Sequence, residues 1–139
     1  MSWIILALLS AVFAALVAIF GKIGIDNVDN VLASTIRATI MALVLVLTSL
    51  ILGKFEGVGN ITSKGILFIF LAGLAGAISW IFYFSALKIG PASGVAALDR
   101  LSVVIVLLLS VILLSEKLTV YNAIGTILIV TGAIFFVLK

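Results

Sequence analysis

The stretch Ser93–Thr119 reads SGVAALDRLSVVIVLLLSVILLSEKLT, and it carries Asp99 and Arg100 side by side near the start of an otherwise apolar run. Two adjacent ionisable groups persist in such a run where protein, water or a ligand receives them. Asp99, Ser102, Val106 and Ser110 fall at spacings of three and four, which draws a thin polar stripe along one helix face. Arg100 is turned about 100° from Asp99 on a helix and need not share its surroundings. The chemistry open to these groups is the binding of a charged solute or the handling of a proton. The structural alternative is an ion pair, Asp99 with Arg37 across two helices.

Arg37 is the second charge inside an apolar run, six residues after Val31, which is roughly 9 Å along a helix. It either snorkels to the headgroups on its long stem or faces a polar cavity and pairs with a carboxylate. Trp80 and Tyr83 lie three apart, and with Gly76 and Ser79 they form a semi-polar helix face. An interfacial aromatic belt accounts for Phe84 and suits Tyr83. Trp80 sits deeper, where it can line a cavity. The candidate pathway residues are therefore Arg37, Trp80, Tyr83, Asp99, Arg100 and Ser102.

Much chemistry is excluded. The 139 residues include no cysteine and no histidine, which removes disulfides, thiolate nucleophiles, Ser-His pairs and N/S metal sites. No metal or cofactor is expected, and catalysis is not. The net charge is +3, with the basic residues scattered singly, so no nucleic-acid patch forms.

The elements that must position these groups are membrane helices. Hydrophobic residues make up 65% of the chain and charged residues 9%, against about 25% charged in soluble domains. The expected solvent is lipid. The first apolar run has no basic stretch before it, so a retained helix is expected there rather than a cleaved signal. A spanning helix takes roughly 20 apolar residues, and the runs predict five helices over 3–20, 31–52, 65–87, 93–114 and 120–138 of a single all-α membrane domain. In the first, Ser10, Ala14 and Ala18 recur every four residues, as do Ala11 and Ala15. In the third, Gly73 and Gly76 sit in a run of small residues, and in the fifth Gly125 and Gly132 share a face. Small residues at such spacings allow close helix packing. Gly21-Lys22 and Gly90-Pro91 read as helix ends, Gly53–Lys64 as a plain connector, and Leu114–Thr119 as a polar stop.

Five spans put the two termini on opposite sides of the membrane. Lys54, Lys64 and Lys117 then fall on one side and Lys22, Lys88 and Lys139 on the other. The positive-inside rule sees no difference between the two sides. Such a tie is expected of a chain that inserts both ways; the alternative is chance, since six lysines tie easily, and counting Arg37 and Arg100 would tilt it towards the Lys22 side. Two copies in opposite orientations would form an inverted repeat, a layout in which transporters hold the substrate near the bilayer midplane.

Arg37 early in the second helix, Tyr83-Phe84-Ser85-Ala86-Leu87 at the end of the third, Leu98-Asp99-Arg100-Leu101-Ser102, Leu114–Thr119 and the Gly125…Gly132 helix occur in an order that resembles the EamA-type family of the drug/metabolite transporter superfamily. The resemblance covers nearly the whole chain and points to the short, five-helix bacterial and archaeal members. It implies one half of a ten-helix inverted-repeat transporter, paired as an antiparallel homodimer or with a related five-helix chain. It also implies a multi-pass location in a bacterial or archaeal inner membrane and a small-molecule substrate. The related small multidrug resistance proteins carry a glutamate in their first helix. No acid occurs in the first helix here, so their proton-exchange site is not expected. The reading is thus a small-metabolite transporter working by alternating access. The alternatives are half of a heterodimeric transporter, or a non-transporting membrane subunit or scaffold.

Overall fold

In lipid every backbone N–H and C=O must be satisfied within its own segment, so apolar runs of this length become helices. The computed structural model describes residues 2–138. The helices are α1 (Trp3–Gly24), α2 (Asn30–Ile51), α3 (Ser63–Ile89), α4 (Ala92–Asp99), α5 (Ser102–Leu114) and α6 (Val120–Phe135), with a 3₁₀ segment over Lys54–Asn60. There is no strand among the described residues. Five stretches are long and apolar enough to cross a membrane, with α4 and α5 together forming the fourth. Lys139, counted above with the loop charges, lies outside the described residues.

Three boundaries differ from the sequence reading. Helix α1 runs past Gly21-Lys22 to Gly24, because a lone glycine weakens a helix without ending it. The connector after α2 winds into the 3₁₀ segment, entered through Gly53 at φ 62°, a left-handed conformation that glycine adopts without a Cβ clash. The fourth span is interrupted at Arg100-Leu101. There the N–H groups of Arg100, Leu101, Val103 and Val104 bond to carbonyls three residues back, at 2.9–3.2 Å. A tight 3₁₀ turn thus replaces the α ladder beside the two charged residues.

The chain divides into two compact units. One comprises the residues up to Phe20 and those from Ile89 onward, where α4 and α5 pack against α6. At Gly94 a Cβ would crowd its own turn, 3.3 Å from Pro91 Cγ, and would lie in ordinary contact with the Phe136 carbonyl oxygen at 3.8 Å. The buried residues of this unit include Ala18, Ala133 and Ser110. Of the two small-residue rows on α1, only Ala14 and Ala18 are partly or fully covered.

The second unit comprises Gly21–Lys88, with the end of α1, α2 and α3. Its interior is Ile25, Phe84 and Leu87. Helix α2 starts on Asp29, whose carboxylate accepts from the N–H groups of Val31 and Leu32 at 2.9 and 3.0 Å, the usual way to satisfy orphan donors at a helix start.

Candidate functional site

The second unit is fastened at one end by polar side chains. Lys22, in the last turn of α1, donates to the carbonyl of Leu87 at 2.6 Å. Lys88 donates to the Val28 carbonyl at 3.0 Å. Asn30 donates through Nδ2 to the Ser85 hydroxyl, which in turn donates to Ile81 O at 2.6 Å. Leu87 lies in the last turn of α3, where a cation on the carbonyl satisfies an orphan acceptor and complements the helix dipole. The sequence reading used Lys22 and Lys88 only as loop charges and Ser85 only as part of a motif, and gave Asn30 no role. Their signal was a set of polar residues clustered at neighbouring helix ends.

About two turns further along α2, the Arg37 guanidinium lies over the Trp80 ring, 4.1 Å from its centre, and 5.5 Å from the centre of Phe84. Tyr83 meets Phe84 edge-on at 6.2 Å between ring centres. The structure therefore brings together Arg37, Trp80 and Tyr83 of the expected pathway residues. Asp99, the carboxylate named for Arg37, belongs to the first unit. Asp29 is engaged as the helix cap and lies eight residues before Arg37, about 12 Å along the helix. The guanidinium instead rests on aromatic faces, whose quadrupole attracts a cation most strongly where water is scarce.

Phe84 departs from the belt reading. It is buried, because Gly21 lets its ring settle on α1: a Cβ at Gly21 would lie 3.3 Å from Phe84 Cε1 and 3.5 Å from Leu87 Cδ1.

Beyond the stack, α2 and α3 leave a groove of about 640 Å³ between them. Ser34, Ala38, Met41 and Leu45 line one wall; Gly73, Gly76 and Trp80 line the other. Gly76 is the midpoint of α3, and Met41 is within a residue of the midpoint of α2. The hydroxyls of Ser34 and Thr35 donate to the carbonyls of Asn30 and Val31 at 2.8 and 2.9 Å, so helix bonds absorb their polarity. A Cβ on Gly73 or Gly76 would meet nothing within 4 Å.

The other candidates belong to the first unit. Asp99 ends α4, Arg100 lies in the tight turn, Ser102 opens α5, and all three are exposed. Ser110 is buried and donates to Leu107 O at 3.1 Å. Arg100 lines a cavity shared with α6, whereas Asp99 and Ser102 do not. A Cβ on Gly125 or Gly132 would meet nothing within 4 Å.

The polar stop between α5 and α6 has a local mechanism. Ser115 adopts φ 56°, and the Glu116 N–H reaches Ser110 O at 3.2 Å, closing α5. Thr119 then caps α6 by accepting from Asn122 N–H at 3.2 Å.

Five apolar spans, charges kept at helix ends or on aromatic faces, and a groove between two spans define a helical multi-pass membrane protein. The EamA-like transporter family model matches residues 1–138, and the chain belongs to that family. It is 41% identical over 133 residues to an uncharacterized transporter in the cobO 3' region of a Sinorhizobium species, a match covering 96% of this chain and 94% of the relative. No solved structure matches it.

Proposed function

We propose that the chain is a half-transporter: two copies inserted in opposite orientations form an inverted-repeat pair that moves a small organic solute by alternating access. The observation that carries this reading is the 640 Å³ groove between α2 and α3, which takes in the middle of both spans. An apolar concavity with an aromatic side chain and a few polar groups at its edge is the usual form of a small-molecule site. In inverted-repeat transporters that site lies near the bilayer midplane. In the pair, Trp80 and Tyr83 face the solute and Arg37 holds the Trp80 ring in place. Asp99 and Ser102 line the path where the fourth span is interrupted. Gly73 and Gly76 keep the groove open, and Gly125 takes the close approach of a neighbouring helix. The balanced lysines on the two sides support insertion both ways. The pair works in the cell membrane, the inner one in bacteria with two.

Trp80 is one of two tryptophans, so a Trp3→Phe background isolates its fluorescence. Small organic solutes that alter Trp80 emission are then tested for flux in proteoliposomes. The expected result is that such a solute crosses the bilayer and that Trp80→Ala removes most of the flux. If no solute perturbs Trp80 and the chain instead co-purifies in fixed ratio with an unrelated membrane protein, a scaffold role replaces this one.

A further inference from the structure

Arg100 lines a cavity of about 350 Å³ together with Ala97, Val103, Leu128, Gly132 and Phe136. It is the one charged residue in that lining; the others are apolar. Within its unit, among the described residues, its guanidinium has no hydrogen-bond or ion-pair partner. The cavity is kept open at Gly132, where an added Cβ would meet nothing within 4 Å. Leu128 and Phe136 are 67% and 61% exposed, so the cavity opens to whatever surrounds the chain.

The depth of Arg100 limits what can fill it. Arg100 is eight residues after Ala92, about 12 Å along the span. With a hydrocarbon core of about 30 Å, its Cα lies below the headgroups of one leaflet. A helical side chain leans back towards the N-terminus, which here is the nearer membrane surface. Phe136 marks that same end, since its carbonyl oxygen lies 3.8 Å from the Cβ position of Gly94. Gly132 and Phe136 line the cavity on the side of that surface, while Leu128 and Val103 continue the apolar wall downward. The shape takes an anionic head above and a hydrocarbon chain below. No carboxylate lines the cavity to receive the ammonium of a zwitterionic head.

We infer that the Arg100 cavity between α4–α5 and α6 is a binding site for an anionic phospholipid, its phosphate on Arg100 and one acyl chain along Leu128 and Val103. The Asp99 of a second copy does not substitute for the lipid in the antiparallel pairing. Asp99 is the eighth of 23 residues in its span, so its inverted counterpart is displaced by about 12 Å along the membrane normal. The inference stands whether or not the chain carries a solute.

The test is native mass spectrometry of the full chain in nonionic detergent, with phosphatidylglycerol and phosphatidylcholine of identical acyl chains offered in equal amounts. Wild type is expected to retain phosphatidylglycerol over phosphatidylcholine by about fivefold, the scale of one basic residue meeting one anionic lipid. Arg100→Gln should abolish the preference and Arg100→Lys should retain part of it. Gly132→Leu, which fills the cavity and leaves the charge, should also abolish it, and it decides the matter if Arg100→Gln fails to fold. Equal retention of both lipids by wild type would overturn the inference. So would a phosphatidylglycerol preference that survives Gly132→Leu, since the head would then be held outside the cavity. Displacement of the lipid by a small water-soluble carboxylate that proteoliposomes transport would overturn it too, by making the cavity a solute site.

Discussion

The guanidinium of Arg37 stacks on the indole of Trp80 at 4.1 Å, joining α2 to α3 at the edge of the groove. A cation inside a span needs an electrostatic partner, and here an aromatic face provides it. Trp80→Ala should lower the melting stability in detergent by between about 0.5 and 2 kcal/mol, with Trp80→Phe retaining part of the loss. If Trp80→Ala and Trp80→Phe melt with wild type, the stack does not hold the two helices.

Gly21 is where Phe84 and Leu87 come closest to α1. Gly21→Val should crowd the Phe84 ring and cost about 1–3 kcal/mol, as overpacking of a fitted interior does. A thermal unfolding series of Gly21→Ala, Gly21→Val and Gly24→Val checks this. Gly24 has nothing within 4 Å of its Cβ position, so only the Gly21 substitutions should destabilise beyond the cost of β-branching.

Ser115 ends α5 in a left-handed conformation. Ser115→Gly should therefore stabilise the protein by about 1 kcal/mol, the scale of the Cβ clash it relieves. Thr119→Ala should cost about 1 kcal/mol by removing the cap on α6. Calorimetric unfolding of the two variants should move in opposite directions.

Lys22 and Lys88 hold carbonyls of Leu87 and Val28. Lys22→Met should cost on the order of 1–3 kcal/mol, since it leaves a helix-terminal carbonyl without its charged donor. Lys54→Met and Lys64→Met, both at exposed positions, should fall within about 0.5 kcal/mol of wild type. Comparing the melting of these three variants separates anchoring lysines from merely solvated ones.

The helices and their order were legible from the sequence because lipid permits no other use of apolar runs this long. The Leu114–Thr119 stop was legible too, as a short polar break between two apolar stretches. What was hidden depends on rotation of one helix against another. Arg37 read as either snorkelling or pairing with a carboxylate, and only the packing of α2 on α3 adds the Trp80 face as its neighbour. Phe84 read as a belt residue because the sequence did not reveal that Gly21 opens room for its ring. The tight turn at Arg100-Leu101 contains neither glycine nor proline, so no local signal marked it. Gly21 and Gly90 looked alike as helix ends, yet only Gly90 is followed by a proline that removes a backbone donor.

Opposite insertion of two copies is the claim on which the half-transporter reading rests most. The chain has no native cysteine, so Asn27→Cys, exposed between α1 and α2, provides a single reporter. An impermeant thiol reagent added to intact cells should label about half of the molecules, as an inverted-repeat pair of identical chains requires. Labelling of all molecules or of none would mean one fixed orientation, and the antiparallel homodimer would be wrong.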